Sequence, residues 1–331
     1  MRKPRMNETL KNEKILIIIP THNRAQYLNR IVNYYQSYSN EIELLIIDSS
    51  VECNQGVSLR KDLIYLHYPK MSYIDKLQKA MKTVKKQTNI FTTFVADDDF
   101  FIVEKLIEYK FFLEENSDYS AIQGGHVSFW QEEGRHLLYV SHQYAMKKEY
   151  KIDQENNKER AEYYFHNYFN VFYALTRKDL IIHYFETILP ALHQVLDCEL
   201  YIDLIEVSQA CFLVFAGKIK IDKSIAMYRE FIPDSVAHAE MVRISQLVAE
   251  NSLTAWKAEF STLLSKKINL STLELSELLD IAMIGVQEFQ DNKNAGDRKN
   301  LRRIEKGIEM DHIKEQWQDI NKFINAKITS F

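Results

Sequence analysis

The first third of the chain alternates short apolar runs with longer segments whose apolar residues recur at helical spacing. The apolar runs cover residues 14–20, 43–48, 64–68 and 90–96. Continuous runs of this length, rich in isoleucine and leucine, predict strands that are buried on both faces. Segments 25–38 and 72–86 carry apolar residues along one helical face, which predicts amphipathic helices. The order of these elements predicts a mainly parallel sheet covered by helices.

The pattern beyond residue 101 predicts further helices and strands. A helix is expected to about residue 115, a strand at 121–130 with a break at Gly124 and Gly125, and a polar excursion at 131–160. An aromatic segment at 163–176 is expected to run into a strand, followed by a long helix at 190–216 and a strand at 218–229. The second part of the chain therefore continues the same mixed α/β domain.

From about residue 239 the sequence predicts helices without strands. Ser271 and Glu274 have the spacing of a capping box before an apolar run. Asp297 is expected to cap a last helix, whose apolar stripe comprises Leu301, Ile304, Ile308, Ile313, Trp317, Ile320 and Ile324. We therefore predict a tail at 1–13, a mixed α/β domain at 14–238 and an all-helical domain at 239–331.

This apolar stripe needs a covering surface, which is the first domain, a second copy of the chain or a membrane. Intramolecular packing is the simplest of these alternatives, and self-association is the sharper expectation. A basic cluster lies beside the stripe and comprises Lys293, Arg298, Lys299, Arg302, Arg303 and Lys306. Such a cluster favours contact with anionic lipid or with an anionic lipid-linked molecule.

Composition excludes several classes of protein. The chain has 331 residues and a formal net charge of −4, so its charge does not favour nucleic acid as a partner. Three widely spaced cysteines, with no metal-binding spacing, indicate reduced thiols and a cytoplasmic protein. The apolar run at 15–19 is too short to span a bilayer. No GxGxxG or Walker lysine motif is present, which argues against dinucleotide-binding dehydrogenases and P-loop NTPases.

Polar residues end three of the predicted parallel strands. These ends are Pro20-Thr21-His22, Asp48-Ser49-Ser50 and Asp97-Asp98-Asp99. Ligands of open α/β sheets bind beyond the carboxyl ends of the strands. We therefore expect the three ends to converge on one crevice.

The acidic triplet Asp97, Asp98 and Asp99 is the main candidate for chemistry. Three adjacent negative charges repel one another unless a hard divalent cation sits among them, and Mg²⁺ and Mn²⁺ both accept carboxylate oxygens. Both cations also share their ligands readily with a diphosphate. The alternative interpretation is an acidic turn in a solvated loop.

Three segments together resemble a known family. KILIIIPTHNRAQYL, ELLIIDSS and TTFVADDDFF resemble the nucleotide-binding half of family 2-type glycosyltransferases with the GT-A fold. The three aspartates are most similar to a bacterial glycosyltransferase-domain branch. The resemblance covers about residues 14–110 well and 120–235 less well. It implies a GT-A type parallel sheet between helices and metal-dependent, inverting transfer from a nucleotide-sugar donor, preferably a UDP-sugar. The implied acceptor is a glycan or lipid-linked molecule of surface polysaccharide biosynthesis.

The resemblance also implies roles for single residues on the donor side. The implied nucleotide-binding residues are Pro20, Thr21, Arg24, Asp48, Lys76, Asp97 and Asp98, and the implied metal ligands are Asp97 and Asp99. After the last strand, Arg229 and His238 are expected to reach the diphosphate and the metal. The alternatives are a helix-start surface charge for Arg24, a strand-end turn for Asp48 and a solvated helix face for Lys76. His238 is alternatively structural or exposed.

The sequence departs from the family pattern in two places. The second strand usually ends in Asp-Asp-Gly-Ser, but here it ends in Asp48-Ser49-Ser50. The usual Glu-Asp pair that supplies the catalytic base is absent, and its nearest match is the segment 196–200. Asp197 is the leading candidate for the base, with Glu199 and Asp203 behind it. All three are alternatively exposed helix carboxylates.

Six aromatic residues between positions 129 and 173 are candidates for stacking on an acceptor sugar. The alternative interpretation is that they pack in the core. They are Phe129, Trp130, Tyr163, Tyr164, Tyr168 and Tyr173.

Two competing functions remain. A nucleotidyltransferase would need a glycine-rich loop with a lysine, whereas the first loop here is THNR. A catalytically inactive scaffold that assembles through its C-terminal helices would have no need for three clustered carboxylates.

Overall fold

The computed structural model describes residues 13–132, 135–141, 150–168, 170–195, 202–230, 253–266, 270–296, 301–303 and 317–324. The strands are β1 Ile15–Thr21, β2 Ile42–Asp48, β3 Ile64–His67, β4 Phe91–Phe94, β5 Asp99–Phe101, β6 Tyr119–Glu132, β7 Arg135–Ser141, β8 Lys151–Ile152, β9 Leu175–Arg177, β10 Lys218–Glu230 and β11 Leu301–Arg303. The helices are α1 Ala25–Gln36, α2 Gln55–Ser58, α3 Tyr73–Val84, α4 Val103–Glu115, α5 Asn157–His166, α6 Lys178–His183, α7 Leu189–Gln194, α8 Ile202–Ala216, α9 Leu253–Ser265, α10 Thr272–Gly296 and α11 at 317–324. A π-helical turn, Tyr184–Ile188, joins α6 to α7.

The sheet is mainly parallel through its centre, as the sequence predicts. Its strand order is β11-β7-β6-β9-β4-β1-β2-β3. Strand β1 pairs in parallel with β2 and β4, and β2 pairs in parallel with β3. Strand β9 lies antiparallel between β4 and β6, while β10 pairs in parallel with β6 and antiparallel with β5. The carboxyl ends of β1, β2 and β4 therefore lie along one edge.

The core has two layers, one on each face of the sheet. Successive side chains of a strand point to opposite faces, so Leu16 and Ile18 join the layer that contains α3. Ile15, Ile17 and Ile19 join the opposite layer, with α1 and α4. Because both faces are covered, strand β1 can be apolar at every position, which is the pattern that predicted it.

Helices α3 and α10 begin at side-chain caps. Ser72 Oγ accepts a hydrogen bond from Asp75 N at 3.1 Å and starts α3. At the start of α10, Ser271 Oγ accepts from Glu274 N at 3.2 Å, and Glu274 Oε2 accepts from Ser271 N at 2.9 Å. The predicted capping box is therefore confirmed.

Three predictions for the middle of the chain are wrong in part. The polar excursion at 131–160 contains strands β7 and β8; β7 pairs with the preceding strand β6, and β8 pairs with the distant strand β10. The aromatic segment forms helix α5 first, because Ala161, Tyr164 and Phe165 share one buried helical face. Only Leu175–Arg177 becomes a strand there. The helix predicted from residue 190 begins with α6 instead, and Pro190 lies in the first turn of α7, where it needs no N–H partner.

Strand β6 is not broken at Gly124. A Cβ atom at Gly124 would lie 2.1 Å from the Tyr109 hydroxyl oxygen and 2.6 Å from Ala226 Cβ. The pairing of β10 with β6 shifts register between Ile221 and Ile225, beside this position. Glycine is therefore needed for the close approach of β10 and α4.

The C-terminal region is not all helical. Strand β11 pairs antiparallel with β7, so the predicted helix from Asp297 does not include Leu301. Residues 297–300 and 304–316 lie outside the described residues, as do residues 1–12 and the predicted domain boundary at 238. The described part of the stripe packs within the chain: Trp317 contacts Phe129 and Tyr228, at 4.9 and 5.4 Å between ring centroids. None of the described helices is long and apolar enough to cross a membrane.

Candidate functional site

The ends of strands β1, β2 and β4 meet through hydrogen bonds. Thr21 Oγ1 donates to Asp97 Oδ2 at 2.6 Å. The backbone N of Asn23 donates to Ser50 Oγ at 2.7 Å. Asn23 has a φ of 54°, a left-handed conformation that asparagine tolerates better than most residues. This conformation turns the first loop over the end of β2, so the predicted convergence is observed.

Arg24 bridges two members of the acidic triplet. Its Nη1 lies 2.9 Å from Asp97 Oδ1, and its Nη2 lies 2.6 Å from Asp98 Oδ2. The guanidinium also lies over the Tyr27 ring, 4.4 Å from the centroid. The side chain is 25% exposed, whereas that of Asp97 is 3% exposed. Arg24 is therefore paired with the acidic triplet rather than solvated at the start of α1, and its expected contact with a nucleotide stays a prediction.

Asp99 has a separate arginine partner. Strand β5 places Asp99 opposite Arg229 of β10, and Arg229 Nε donates to Asp99 Oδ2 at 3.1 Å. The Arg229 guanidinium lies over the Tyr173 ring, 5.0 Å from its centroid. Asp99 is 2% exposed. The acidic triplet is thus a buried set of carboxylates held between two arginines, and not an acidic turn in solvent.

Burial makes these carboxylates unusually basic. Burial and then the charge of Asp98 raise the pKa of Asp97 to about 7, although Arg24 opposes the shift. Burial also raises the pKa of Asp99 to about 8, with Arg229 opposing and Asp98 adding to it. The two arginines therefore do not fully offset the cost of burying the negative charge. An additional cation at this position would be stabilised.

The free energy of unfolding of the ligand-free protein should fall as the pH rises from about 4 to about 8. The pKa values of Asp97 and Asp99 are higher in the folded state than their ordinary value of 3.8, so the folded state binds more protons. The resulting stability is present below about pH 4 and is lost as the pH rises through about 7 to 8. Urea unfolding in EDTA measures the slope. In Asp99→Asn this slope should be shallower, and an equal slope would contradict the assignment.

Lys76 lies beneath the site and not on a solvated helix face. It is 3% exposed. Its Nζ donates to the Thr21 carbonyl O at 2.8 Å and to Ser49 Oγ at 3.0 Å. Burial lowers its pKa to about 8, while Asp48 and Asp97 oppose the shift. Lys76 therefore ties the end of β1 to the end of β2, and its expected contact with a nucleotide stays a prediction.

Asp48 is fixed by partners that the sequence did not indicate. Its Oδ1 accepts from Ser50 N at 2.7 Å, and its Oδ2 accepts from the Tyr65 hydroxyl at 2.5 Å. His67, two residues along the same strand, hydrogen-bonds the Ser50 carbonyl O at 2.9 Å. Tyr65 and His67 alternate with apolar residues in β3, and this period of two was the available signal. Asp48 therefore closes the strand-end turn through Ser50 N and is also tied to β3 through Tyr65, and its expected contact with a nucleotide stays a prediction.

The donor chemistry of the triplet fits a divalent cation in part. Within the described part of the chain, no group of three or more His, Cys, Asp or Glu is arranged to hold a metal ion. Both oxygens of Asp97 already have partners, Thr21 and Arg24. Mg²⁺, however, commonly binds through one or two carboxylates plus substrate phosphates. Asp98 and Asp99 supply such carboxylates, so the residues fit a cation that arrives with a diphosphate.

Several predicted site residues lie outside the described residues. These are Asp197, Glu199 and His238, and Asp203 lies on α8 with its side chain also outside. Among the aromatic candidates, Phe129 and Tyr164 are fully buried in the core and have no exposed face for a sugar. Tyr163 and Tyr168 pack against one core layer, and the side chain of Trp130 is outside the described set. Among the candidates whose side chains are described, Tyr173 lies beside the acidic triplet, through its contact with Arg229.

Comparison with known proteins identifies the fold. No protein-family profile and no curated protein matches the chain. Solved structures of S. aureus TarS do. The 1–349 fragment in complex with UDP-GlcNAc has a TM-score of 0.59 and 15% identity over 95% of this chain and 81% of that chain. A second structure of this fragment has a TM-score of 0.55 and 13% identity over 94% and 81%. A longer TarS structure has a TM-score of 0.52 and 14% identity, over 96% of this chain and 49% of that chain. The fold is GT-A-like.

Proposed function

We propose that the protein is a glycosyltransferase that transfers a sugar from a nucleotide-diphosphate sugar, with a UDP-sugar as the favoured donor. The observation that carries this proposal is the set of buried acids and arginines gathered at the carboxyl edge of a GT-A-like sheet. The TarS fragment, which shares this fold, was solved with UDP-GlcNAc. Ligands of such sheets bind at this edge.

Each part of the nucleotide has a proposed partner at the carboxyl edge of the sheet. Asp48, held by Tyr65 and Ser50, is the proposed contact for the base or ribose. Pro20 and Thr21 begin the loop that would cover the nucleotide, with Lys76 fixing that loop from below. Arg24 and Arg229 are each partly exposed, at 25% and 35% of their side chains, and carry the positive charge that a diphosphate needs.

A Mg²⁺ or Mn²⁺ ion is the proposed cofactor. Asp99, with Asp97 or Asp98 beside it, would hold the ion, and His238 remains a proposed ligand from the sequence. When bound, the ion neutralises the charge that develops on the departing diphosphate. Arg24 and Arg229 add to that stabilisation from the protein's own side chains.

The acceptor side needs a carboxylate that takes a proton from the attacking hydroxyl. The sequence proposes Asp197, Glu199 and Asp203 for this role, and an inverted product. The proposed acceptor is a glycan or a lipid-linked molecule of surface polysaccharide biosynthesis, and the proposed location is the cytoplasm or the inner face of the membrane. Contact with a membrane or a second copy through the C-terminal region is part of the same proposal.

UDP together with Mn²⁺ should raise the melting temperature, and EDTA should remove most of the increase. Because the pair binds the folded state, a concentration of 100 times the dissociation constant should stabilise by about 2.7 kcal/mol. Thermal-shift measurements with UDP, GDP, CDP and UDP-sugars provide the comparison. Released UDP in turnover assays distinguishes glycosyl transfer from nucleotidyl transfer, which releases pyrophosphate. No shift with any nucleoside diphosphate would contradict the proposed function and favour an inactive scaffold.

A further inference from the structure

Helix α8 presents a carboxylate, Glu206, to the loop that joins α5 to β9. Asn170 Nδ2 donates to Glu206 Oε2 at 2.5 Å. Asn170 is itself fixed, because its Oδ1 accepts from Phe172 N at 2.8 Å and its carbonyl O accepts from Gln123 Nε2 at 2.8 Å. Gln123 lies on β6 and is buried. The Glu206 carboxylate is therefore held in a defined orientation by a loop that is tied to the sheet.

The same loop reaches the acidic triplet from its other side. The Arg229 guanidinium lies over the Tyr173 ring, and Arg229 Nε donates a hydrogen bond to Asp99 Oδ2. The Tyr173 carbonyl O accepts from Thr93 Oγ1 at 3.0 Å, which ties the loop to β4. Residues 170–174 thus contact the acid–arginine pair at one end and Glu206 at the other.

The charges around this loop agree with that placement. Burial raises the pKa of Tyr173 well above its usual range; Arg229 opposes the shift, and the charges of Asp99 and Glu206 add to it. Burial raises the pKa of Tyr73 on α3, and Glu206 adds to this shift as well. Tyr73 and Tyr173 are thus two titratable groups near Glu206, and Arg229 lies beyond the Tyr173 ring. Both phenols are neutral and compete for no proton near neutral pH.

We propose that Glu206 is the catalytic base of the acceptor side and that Asn170 is its positioning residue. The inference rests on the proposed function, because it needs an acceptor hydroxyl opposite the donor's diphosphate. It deepens that function by placing the base in the second turn of α8, further along the chain than Asp197, Glu199 and Asp203. The geometry that favours Glu206 is its fixed orientation at one end of a loop whose other end supports Asp99.

The step is balanced without any further reactant. The acceptor oxygen forms a bond to the anomeric carbon of the sugar, and its O–H bond breaks. The proton passes to the Glu206 carboxylate. The bond between the anomeric carbon and the diphosphate oxygen breaks, and its electron pair leaves with UDP. After product release the proton returns to water, which restores the Glu206 carboxylate.

Glu206→Gln should lower kcat by about 10²–10⁴-fold, the usual loss when a general base is removed. The melting-temperature increase caused by UDP and Mn²⁺ should be unchanged, because Glu206 touches the acceptor and not the nucleotide. Glu206→Asp, which keeps the carboxylate, should restore part of the turnover. Glu108→Gln is the matched control, since Glu108 is 60% exposed on α4 and should retain full activity.

Asn170→Asp separates a positioning role from a merely structural one. A second carboxylate beside Glu206 disfavours its ionised form and raises its pKa. The acidic limb of the pH profile of kcat/KM should therefore move to higher pH, with the limb unchanged in the control Asn116→Asp. A loss of stability alone would lower the rate at every pH and leave the limb in place.

The outcomes distinguish this proposal from the function on which it rests. If the wild type transfers sugar and Glu206→Gln matches it, Glu206 is not the base. If Asp197→Asn, Glu199→Gln or Asp203→Asn is inactive while Glu206→Gln turns over, the base lies at that residue instead. A wild type that neither binds UDP nor turns over would overturn the proposed function as well.

Discussion

Asp99→Asn should lower turnover by about 10²–10³-fold, the typical loss when one group that stabilises developing charge is removed. The ligand-free variant should nevertheless be at least as stable as the wild type at pH 8. Burial holds the pKa of Asp99 near 8, so the wild type bears the cost of a buried charge that asparagine lacks. Turnover assays and urea unfolding at pH 8 measure the two quantities. Loss of function would then come with no loss of stability.

Asp179→Asn provides the control, because Asp179 is exposed on α6. It should leave turnover and stability close to those of the wild type. The affinity for UDP with Mn²⁺ should fall in Asp99→Asn and remain in the control. Full turnover of Asp99→Asn in the presence of EDTA would contradict both the metal and its proposed ligand.

Arg24→Leu should reduce the free energy of unfolding by about 3 kcal/mol, at the lower end of the range for breaking a buried ion pair. The lower end applies because the side chain of Arg24 is 25% exposed. Asp97 and Asp98 would lose their shared partner, and Thr21 Oγ1 would be left to donate to Asp97. UDP binding should also be lost, since the first loop would no longer be held against the acidic triplet. Urea unfolding and nucleotide titration measure the two effects.

Two further variants make the Arg24 experiment specific. Arg24→Lys keeps the charge but lacks the planar fork that spans two carboxylates, so its effect should be intermediate. Arg60→Leu removes an arginine that is 18% exposed but whose partner, Asp62, is 42% exposed, and because that carboxylate remains solvated the change should cost less than about 1 kcal/mol. If Arg24→Leu had the same free energy of unfolding as Arg60→Leu, the pairing of Arg24 with Asp97 and Asp98 would not contribute to stability.

The parallel half of the fold could be predicted because its signals are local. Strands β1 and β2 are apolar at nearly every position, and the rule for ligand sites in such sheets brings their ends together. The antiparallel half could not be predicted in the same way. Strand β7 pairs with the preceding strand β6, but it lies in a segment that is polar overall. Strands β8 and β11 are short, and each pairs with a distant segment. The hydrophobic pattern of a short segment does not show which distant segment it will pair with.

The carboxylates of the site could be predicted from the sequence, but their burial and their partners could not. Three consecutive aspartates can be recognised from the sequence alone. The burial of Lys76 cannot, because the same helix also carries exposed lysines. Gly124 gave a similar difficulty: a glycine pair suggests a break, but the tight contact with Tyr109 appears only when α4 is packed on β6. Glu206 has an ordinary helical context, and its orientation depends on Asn170 from another element.

Helix α11 has a consequence for how the chain is made. Phe323 meets the Tyr34 ring at 5.4 Å between centroids, and Trp317 covers Phe129. These partners emerge from the ribosome long before α11 does. Part of one side of the nascent sheet therefore stays apolar and uncovered until residues 317–324 have emerged, a state that chaperones recognise and that promotes aggregation. Contacts between such distant segments also slow the final search for the native fold.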